Sequence, residues 1–421
     1  MTGLDATVAV IGVGYEGKRS IMTRMADLGV RLVLVDEPGH WSGALVEDGV
    51  AEHWLEAQVT GDPDRDAAVV LEALDRAGVS PDGVLTFYED SVATAARVAA
   101  ALGLPGNPIP AVDAARSKVR TRELSAELGL PTPRATRVRS LDELFAAAST
   151  IGFPAVVKPE FGASAMGCVR VDDIESLPGV YSLVRGVVDP VHDGIFRMGN
   201  DLLLEEYLDG VEFDVDLVMH EGACVFTSVS QNWPTAEPSF QETGLHLPPD
   251  HDRRAVERLV NLAVETARGF GLTRGVLHVE GKCTSRGPRL VEVNARLGGG
   301  RIHEMVRAVW GVDLVEAQVR SCLDLPPNLR ASKKPRCAVV DAFVYAPASG
   351  RLTGSGLRDE APAGCLDFHL DVQATPGDDV DGPDRVFATL LAEVVVVAKD
   401  LKRARKLQQA AVAGPPTVAS P

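Results

Sequence analysis

The sequence predicts an α/β protein with a parallel-sheet domain at its front and α+β lobes behind it. Three observations predict this. Strands alternate with helices through the first hundred residues. Pro105, Pro108 and Pro110 then interrupt the chain. Behind them lie strands joined by short turns. Alternation gives parallel strands covered by helices, whereas hairpins give antiparallel sheets. The 421 residues leave room for about three domains at roughly 150 residues each.

The elements follow in order. Thr7 to Val13 is an apolar strand, and Lys18 to Leu28 has helical spacing that Gly29 stops. Arg31 to Val35 is a second strand, ending at Asp36. Asp66–Arg76 is a helix, Gly83–Phe87 a strand and Ser91–Leu102 an Ala-rich helix. These make a Rossmann-like domain over 1–110. Ser117–Leu128 is a helix stopped by Gly129 and the prolines of LPTP. Ala155–Lys158, Cys168–Val171, Leu202–Tyr207, Phe213–Met219 and Val225–Val229 are strands. Arg253–Phe270 is an amphipathic helix, and Gly275–Ala295 a hairpin turning at SRGP. Arg301–Val309 and Leu314–Cys322 are helices. Together these form a core over 111–330, with lobes at about 150–210 and 211–330. Pro326–Lys334 reads as a linker to a small module over 331–400. In that module Ala338–Tyr345 is a strand, and Arg385–Lys399 fits helix or strand equally. The tail, 401–421, is basic and then low in complexity, and is expected to be disordered.

Charge and composition exclude several functions. The net charge of −17 argues against a nucleic-acid surface. No run reaches about 18 apolar residues, so no membrane span is expected. The start, MTGLDATVAVIGVG, lacks a basic region before a long apolar run, unlike a signal peptide. The six cysteines are dispersed without a CxxC pair, which fits reduced thiols in a cytoplasm. No HExxH-like cluster offers a zinc site.

Several motifs bear on chemistry. Gly12-Val-Gly14-Tyr-Glu-Gly17 follows a strand and opens a helix, and Asp36 lies nineteen residues on. That spacing admits a nicotinamide or flavin cofactor, or a tight turn in a domain binding something else. A P-loop is excluded, because Arg19 stands where Ser or Thr should hold Mg²⁺.

The hairpin GVLHVEGKCTSRGPRLVEVNARLGGG is more informative. Residues 280 and 292 are equidistant from 286 in the turn, so Glu280 and Glu292 are cross-strand neighbours. Alternation puts Glu292, Asn294 and Arg296 on one face. Two carboxylates and an amide oxygen suit Mg²⁺; the plainer alternative is a solvated polar face. Gly298-Gly299-Gly300 precedes a helix, as an anion site or a flexible joint.

Upstream, Lys158 ends an apolar strand, where a lone cation needs a partner. The loop Phe161–Gly167, with Gly162, Ser164, Ala165, Met166 and Gly167, is small enough to fold over phosphates. Lys118 is a second phosphate contact or a surface lysine. Glu205 and Glu206 close an apolar strand, followed by Tyr207, Leu208 and, after a turn, Glu212.

Strand lysine, glycine loop, acidic hinge and a carboxylate hairpin ending E-x-N-x-R resemble, in that order, the ATP-grasp superfamily. The resemblance covers roughly Ala111 to Leu325 and implies an ATP-grasp fold whose lobes grip ATP. It implies phosphate contacts from Lys118 and Lys158, adenine contacts from Glu205 and the backbone of Tyr207 and Leu208, and a ribose contact from Glu212. Glu280, Glu292 and Asn294 would hold two Mg²⁺ ions, with Mn²⁺ as a substitute. Arg296 would face the reacting group and, with Lys158, carry the catalysis. The segment SVSQNWPTAEPSFQETGLHLPP is similar to carnosine synthases and bacterial L-amino-acid ligases. That implies a ligase joining an amino-acid carboxylate to an amine through an acyl phosphate, in the cytoplasm that the dispersed cysteines suggest. Glu89 would then touch substrate, unless it only serves the helix start beside it. The resemblance also admits a homodimer, while charge and hydropathy argue against nucleic-acid and membrane partners. Two rivals stay open: another ATP-grasp reaction, purine-type or bicarbonate-using, and an NAD(P)-dependent oxidoreductase built on Gly12–Gly17.

Overall fold

A computed structural model describes residues 3–190, 193–383, 387–412 and 414–419. The front domain runs β1 (Ala6–Ile11), α1 (Arg19–Asp27), β2 (Val30–Asp36), the short α2 (Ala44–Glu47), β3 (His53–Glu56), α3 (Pro63–Arg76), β4 (Gly83–Leu85) and α4 (Val92–Ala101). Its sheet is parallel, in the order β3-β2-β1-β4. Val8, Val10, Leu32 and Leu34 enter one apolar core, and Ala9, Ile11, Val33 and Val35 another. Burial of both faces is what a parallel sheet requires. β3 escaped the sequence reading because HWLE is short and does not alternate.

Next come α5 (Ile109–Arg116) and α6 (Lys118–Glu127). A small lobe follows: β5 (Ala135–Val138), α7 (Leu141–Ile151), β6 (Ala155–Pro159), β7 (Val169–Val171), α8 (Leu177–Val187) and β8 (Leu202–Glu206). Its antiparallel sheet has the order β5-β8-β6-β7. The lobe's first strand thus begins at Ala135, before the expected start near residue 150.

The large sheet is antiparallel and has eight strands. β9 (Val211–His220), β10 (Ala223–Asn232) and β11 (Gly244–Leu247) come first, then α9 (Arg253–Phe270), β12 (Gly275–Thr284) and β13 (Gly287–Asn294). After α10 (Ile302–Trp310) and α11 (Leu314–Cys322) come β14 (Ala338–Tyr345), β15 (Gly350–Gly354), β16 (Asp367–Val372), β17 (Asp379–Val380) and β18 (Leu390–Ala398). α12 (Leu401–Ala411) and β19 (Thr417–Ala419) close the chain. The sheet order is β13-β12-β9-β10-β11-β14-β18-β16.

Period-2 patterning divides the faces of β9, β12 and β13. Phe213, Val215, Leu217, Leu277, Val279 and Val293 pack on Leu259, Ala263 and Phe270 of α9. The alternate residues carry the polar groups of the site. α10 and α11 share one core with the front domain, which fixes the two parts together.

Two expectations change here. The residues expected as a separate C-terminal module supply β14, β16 and β18 to the large sheet, and the undecided segment, whose Arg385 and Val386 lie outside the described residues, carries β18. The tail expected to be disordered forms α12 and β19. Ala404, Leu407 and Ala411 recur at helical spacing and bury against Val340, Val394 and Val396. The basic residues between them hid this stripe. Leu407→Ala is therefore expected to cost about 2–4 kcal/mol, read from the urea midpoint. A loss below about 0.5 kcal/mol would indicate a surface helix.

Candidate active site

Three strands build the floor. Asp216 pairs with His278 and His278 with Asn294; Asp214 pairs with Glu280 and Glu280 with Glu292; Glu212 pairs with Lys282. Every second residue points the same way, so these groups form one polar surface. His278 Nδ1 lies 2.9 Å from Asp216 Oδ1. Burial pushes the His278 imidazole down, but that hydrogen bond and the charges of Asp216, Asp214 and Glu280 outweigh it, raising it to about 9.

The two glutamates differ in their partners. Lys118 Nζ donates to Glu292 Oε1 at 2.9 Å. Burial pushes the Glu292 carboxyl up, but Lys118 outweighs it and holds it low. Glu280 has no lysine or arginine within ion-pair distance among the described residues; it has His278 at 3.8 Å and an Nδ2 bond from Asn294 at 3.4 Å. Burial, then the Glu292 charge, drives its carboxyl well above the usual range. Crowded hard oxygen donors are what a divalent cation neutralises, so Glu280, Glu292 and Asn294 fit Mg²⁺.

The small lobe supplies the roof. Lys158, buried on β6, donates to Glu205 Oε1 at 2.6 Å, and Arg122 Nε donates to Glu205 Oε2 at 2.7 Å. Ser164 and Ala165 of the glycine loop hold φ of 53° and 55°, a left-handed conformation costly for side-chain-bearing residues. Lys118 Nζ also reaches the Gly162 carbonyl at 3.5 Å, linking that loop to the floor.

Between floor and roof lies a cleft lined by Lys118, Lys158, the glycine loop, Glu205 to Leu208, Glu212, Glu280 and Glu292. A second cavity is lined by Asn294, Arg296, Gly299, Gly300, Arg301 and Phe343. Ala163, Ser164, Glu242, Glu280 and Glu292 line both. The carboxylate pair thus stands where two cavities meet. Arg296 Nε donates to Glu89 Oε2 at 2.5 Å, bringing the front domain to the second cavity.

Similarity to known proteins agrees with this geometry. Residues 151–304 match the ATP-grasp domain, and residues 23–106 match the ATP-grasp N-terminal domain. The chain belongs to the ATP-grasp superfamily. It is 36% identical to carnosine synthase 1 of Gallus gallus over 365 residues, which is 83% of this chain and 38% of that protein. It is 26% identical to an alanine–anticapsin ligase of Bacillus subtilis over 344 residues, 77% of this chain and 71% of that protein. The chain therefore spans well under half the length of the carnosine synthase. Among solved structures, an L-amino acid ligase from Bacillus licheniformis superposes with a TM-score of 0.83 at 19% identity, covering all of both chains.

Within this ATP-grasp chain, most of the expected site residues come together. Lys118, Lys158, Gly162, Ser164, Ala165, Met166, Glu205, Glu206, Tyr207, Leu208, Glu212, Glu280 and Glu292 line the cleft. Gly298 differs. A Cβ there would lie 2.7 Å from His278 Nδ1, so its smallness serves packing of the histidine. Gly167 has φ of 73° and closes the loop against Pro159.

The front glycines Gly12 and Gly14 also pack closely on protein, while lining a cavity at the end of the front sheet. A Cβ on Gly12 would lie 2.0 Å from Ser91 Oγ, and one on Gly14 would lie 2.6 Å from the Tyr88 ring. Asp36 accepts from the backbone N–H of Val13 at 2.7 Å, holding the loop itself.

Asp214, Asp216, His278 and Lys282 escaped the sequence reading. Their signal was legible: FDVD and LHVEGK alternate polar with apolar, as VEVN does. Arg122 and Glu242 had none, because a helix and a loop carry them to the site. Lys282 lies 3.4 Å from Glu212. Glu242 lines both cavities at their solvent-facing rim, near the carboxylates of Asp214 and Glu212 that push its carboxyl up.

Glu205 binds two cations, and its removal has a defined cost. Burial pushes its carboxyl up, but Arg122 and Lys158 outweigh it and hold it at about 2, against 4.5 for a free glutamate. A depressed value stabilises the fold above the unfolded value and is lost as pH falls through the folded one. Glu205→Gln is expected to lose about 3–5 kcal/mol at neutral pH, because two buried cations lose their anion. Wild type should then lose its advantage between pH 4.5 and 2. Urea titrations of both proteins across that range check it.

Proposed function

We propose that this chain is an ATP-dependent carboxylate–amine ligase that joins two amino acids, releasing ADP and phosphate. The observation that carries this is the glutamate pair at the junction of the two cavities. A nucleotide in the cleft would present its terminal phosphate there, beside a substrate in the second cavity. The names of the carnosine synthase and alanine–anticapsin ligase relatives support amino acids as substrates.

Each residue takes a role from its place. Lys118 and Lys158 neutralise phosphate oxygens, and Glu205 keeps Lys158 aimed into the cleft. The backbone of Tyr207 and Leu208 reads the adenine edge, with Glu205 beside its amino group and Glu212 toward the ribose. Glu280, Glu292 and Asn294 hold two Mg²⁺ ions, for which Mn²⁺ substitutes. These ions, when bound, offset negative charge on the phosphates.

The substrate carboxylate attacks the γ-phosphorus, the bond to the β,γ-bridging oxygen breaks, and ADP leaves. The amine nitrogen of the second substrate then attacks the acyl carbon. The carbon–oxygen bond to phosphate breaks, phosphate leaves, and the amine proton passes to solvent. Arg296, fixed by Glu89, stabilises charge developing on the substrate oxygens. Gly299 and Gly300 leave room for the substrate backbone. Loop 161–167 covers the cleft and excludes water that would hydrolyse the acyl phosphate. The TM-scores of purine-type and bicarbonate-using enzymes support only a shared fold, for example 0.70 for a biotin carboxylase domain crystallised with MgADP and bicarbonate. The ligase names of the relatives weigh against an oxidoreductase.

Thermal shift separates these classes. Mg²⁺-ATP at about 100 times its dissociation constant should add about 2.7 kcal/mol of stability. Stabilisation by NADH or NADPH alone would overturn the reading.

A further inference from the structure

A cavity of about 320 Å³ lies at the carboxyl end of the front parallel sheet, closed by residues 194–198 of the small lobe. It does not overlap the cleft or the second cavity described above. Open α/β sheets bind ligands at this end, at the point where strand order reverses. Here that point falls between β1 and β4.

Most polar groups around it are already engaged. Asp36 accepts from the Val13 and Glu37 backbones. Glu37 pairs with Arg197 at 2.8 Å, and Asp66 accepts from Thr60 and Gly61. Two groups are not. The Arg116 side chain is 1% exposed, and none of its three nitrogens makes a hydrogen bond among the described residues. Asp90 Oδ1 is likewise buried without a hydrogen-bond partner there. The two lie 3.8 Å apart, too far to satisfy one another. Buried orphan groups of opposite sign lining one cavity call for a ligand carrying both an acceptor and a donor. Desolvation raises the Asp90 carboxyl to about 6, which the charges of Arg116 and Arg197 only partly offset.

We propose that this cavity is a second binding site, for a small amino acid, whose carboxylate meets Arg116 and whose ammonium meets Asp90. The site has a route to the active centre. Arg116 Nε lies 3.6 Å from Glu89, and Glu89 holds Arg296. A ligand drawing on Arg116 therefore changes the charge balance at Glu89, which makes the cavity a place for regulation by an amino acid.

Calorimetric titration of the full chain with each of the twenty L-amino acids, sodium acetate and NADH tests this without turnover. The titrations are run on wild type, Arg296→Ala, Asp90→Asn and Met198→Trp, the last placing an indole at the cavity wall. One or more amino acids should still bind Arg296→Ala, in which the substrate cavity has lost its guanidinium. The same binding should weaken at least about tenfold in Asp90→Asn and in Met198→Trp. Loss of all amino-acid binding in Arg296→Ala, indifference to both cavity variants, or binding of only acetate or only NADH would overturn the proposal. Ligase activity in wild type with any of those outcomes would leave the proposed function standing and remove this site alone.

Discussion

Arg296→Ala should lose ligation by about 10²–10³-fold or more while keeping its affinity for Mg²⁺-ATP. The guanidinium is held on three sides: Nε to Glu89, Nη1 to the Leu297 carbonyl at 2.8 Å, and Nη2 toward Asn294 Oδ1 at 3.4 Å. Such a fixed donor needs no reorganisation as charge develops, which is where its effect on rate arises. It lines the second cavity and not the cleft, so nucleotide affinity should not depend on it. Arg296→Lys should recover little, because an ammonium cannot make the same planar set of bonds. Phosphate release at saturating ATP, paired with nucleotide titration, separates the two effects. Ligation within a few-fold of wild type would remove the assigned role.

Glu280→Gln should abolish ligation, by about 10³-fold or more, and remove the Mg²⁺ dependence of nucleotide binding. It should do so at almost no cost to the fold. Without a cation Glu280 is a buried carboxylate beside another, and its carboxyl is driven toward the neutral form that glutamine mimics. Its unfolding free energy is expected within about 1 kcal/mol of wild type, or higher. Glu292→Gln is the contrast. It leaves Lys118 buried without its anion and should lose about 3–5 kcal/mol as well as activity. A structural role for the pair predicts the opposite order, with Glu280→Gln destabilised and still active.

Legibility in the sequence followed the range of the signal. The register of Glu280 against Glu292 followed from counting to the turn, and it holds even though a bulge interrupts the pairing just after Glu280. The parallel front sheet followed from apolar runs long enough to be buried on both faces. Contacts between distant segments were not legible. Arg122 meets Glu205 across 83 positions, and Glu89 meets Arg296 across 207. No local periodicity encodes such pairs. The tail's composition conceals its helix: Ala404, Leu407 and Ala411 carry the helical stripe through a basic segment.

The central claim is that two amino acids are joined at the expense of ATP at this junction of cavities. A screen over pairs of free amino acids with Mg²⁺-ATP, reading phosphate release and product mass together, tests it most directly. At least one pair should yield a product of the summed mass less water, with one phosphate released per molecule formed. Phosphate release without any condensed product, or none with any pair, would contradict it.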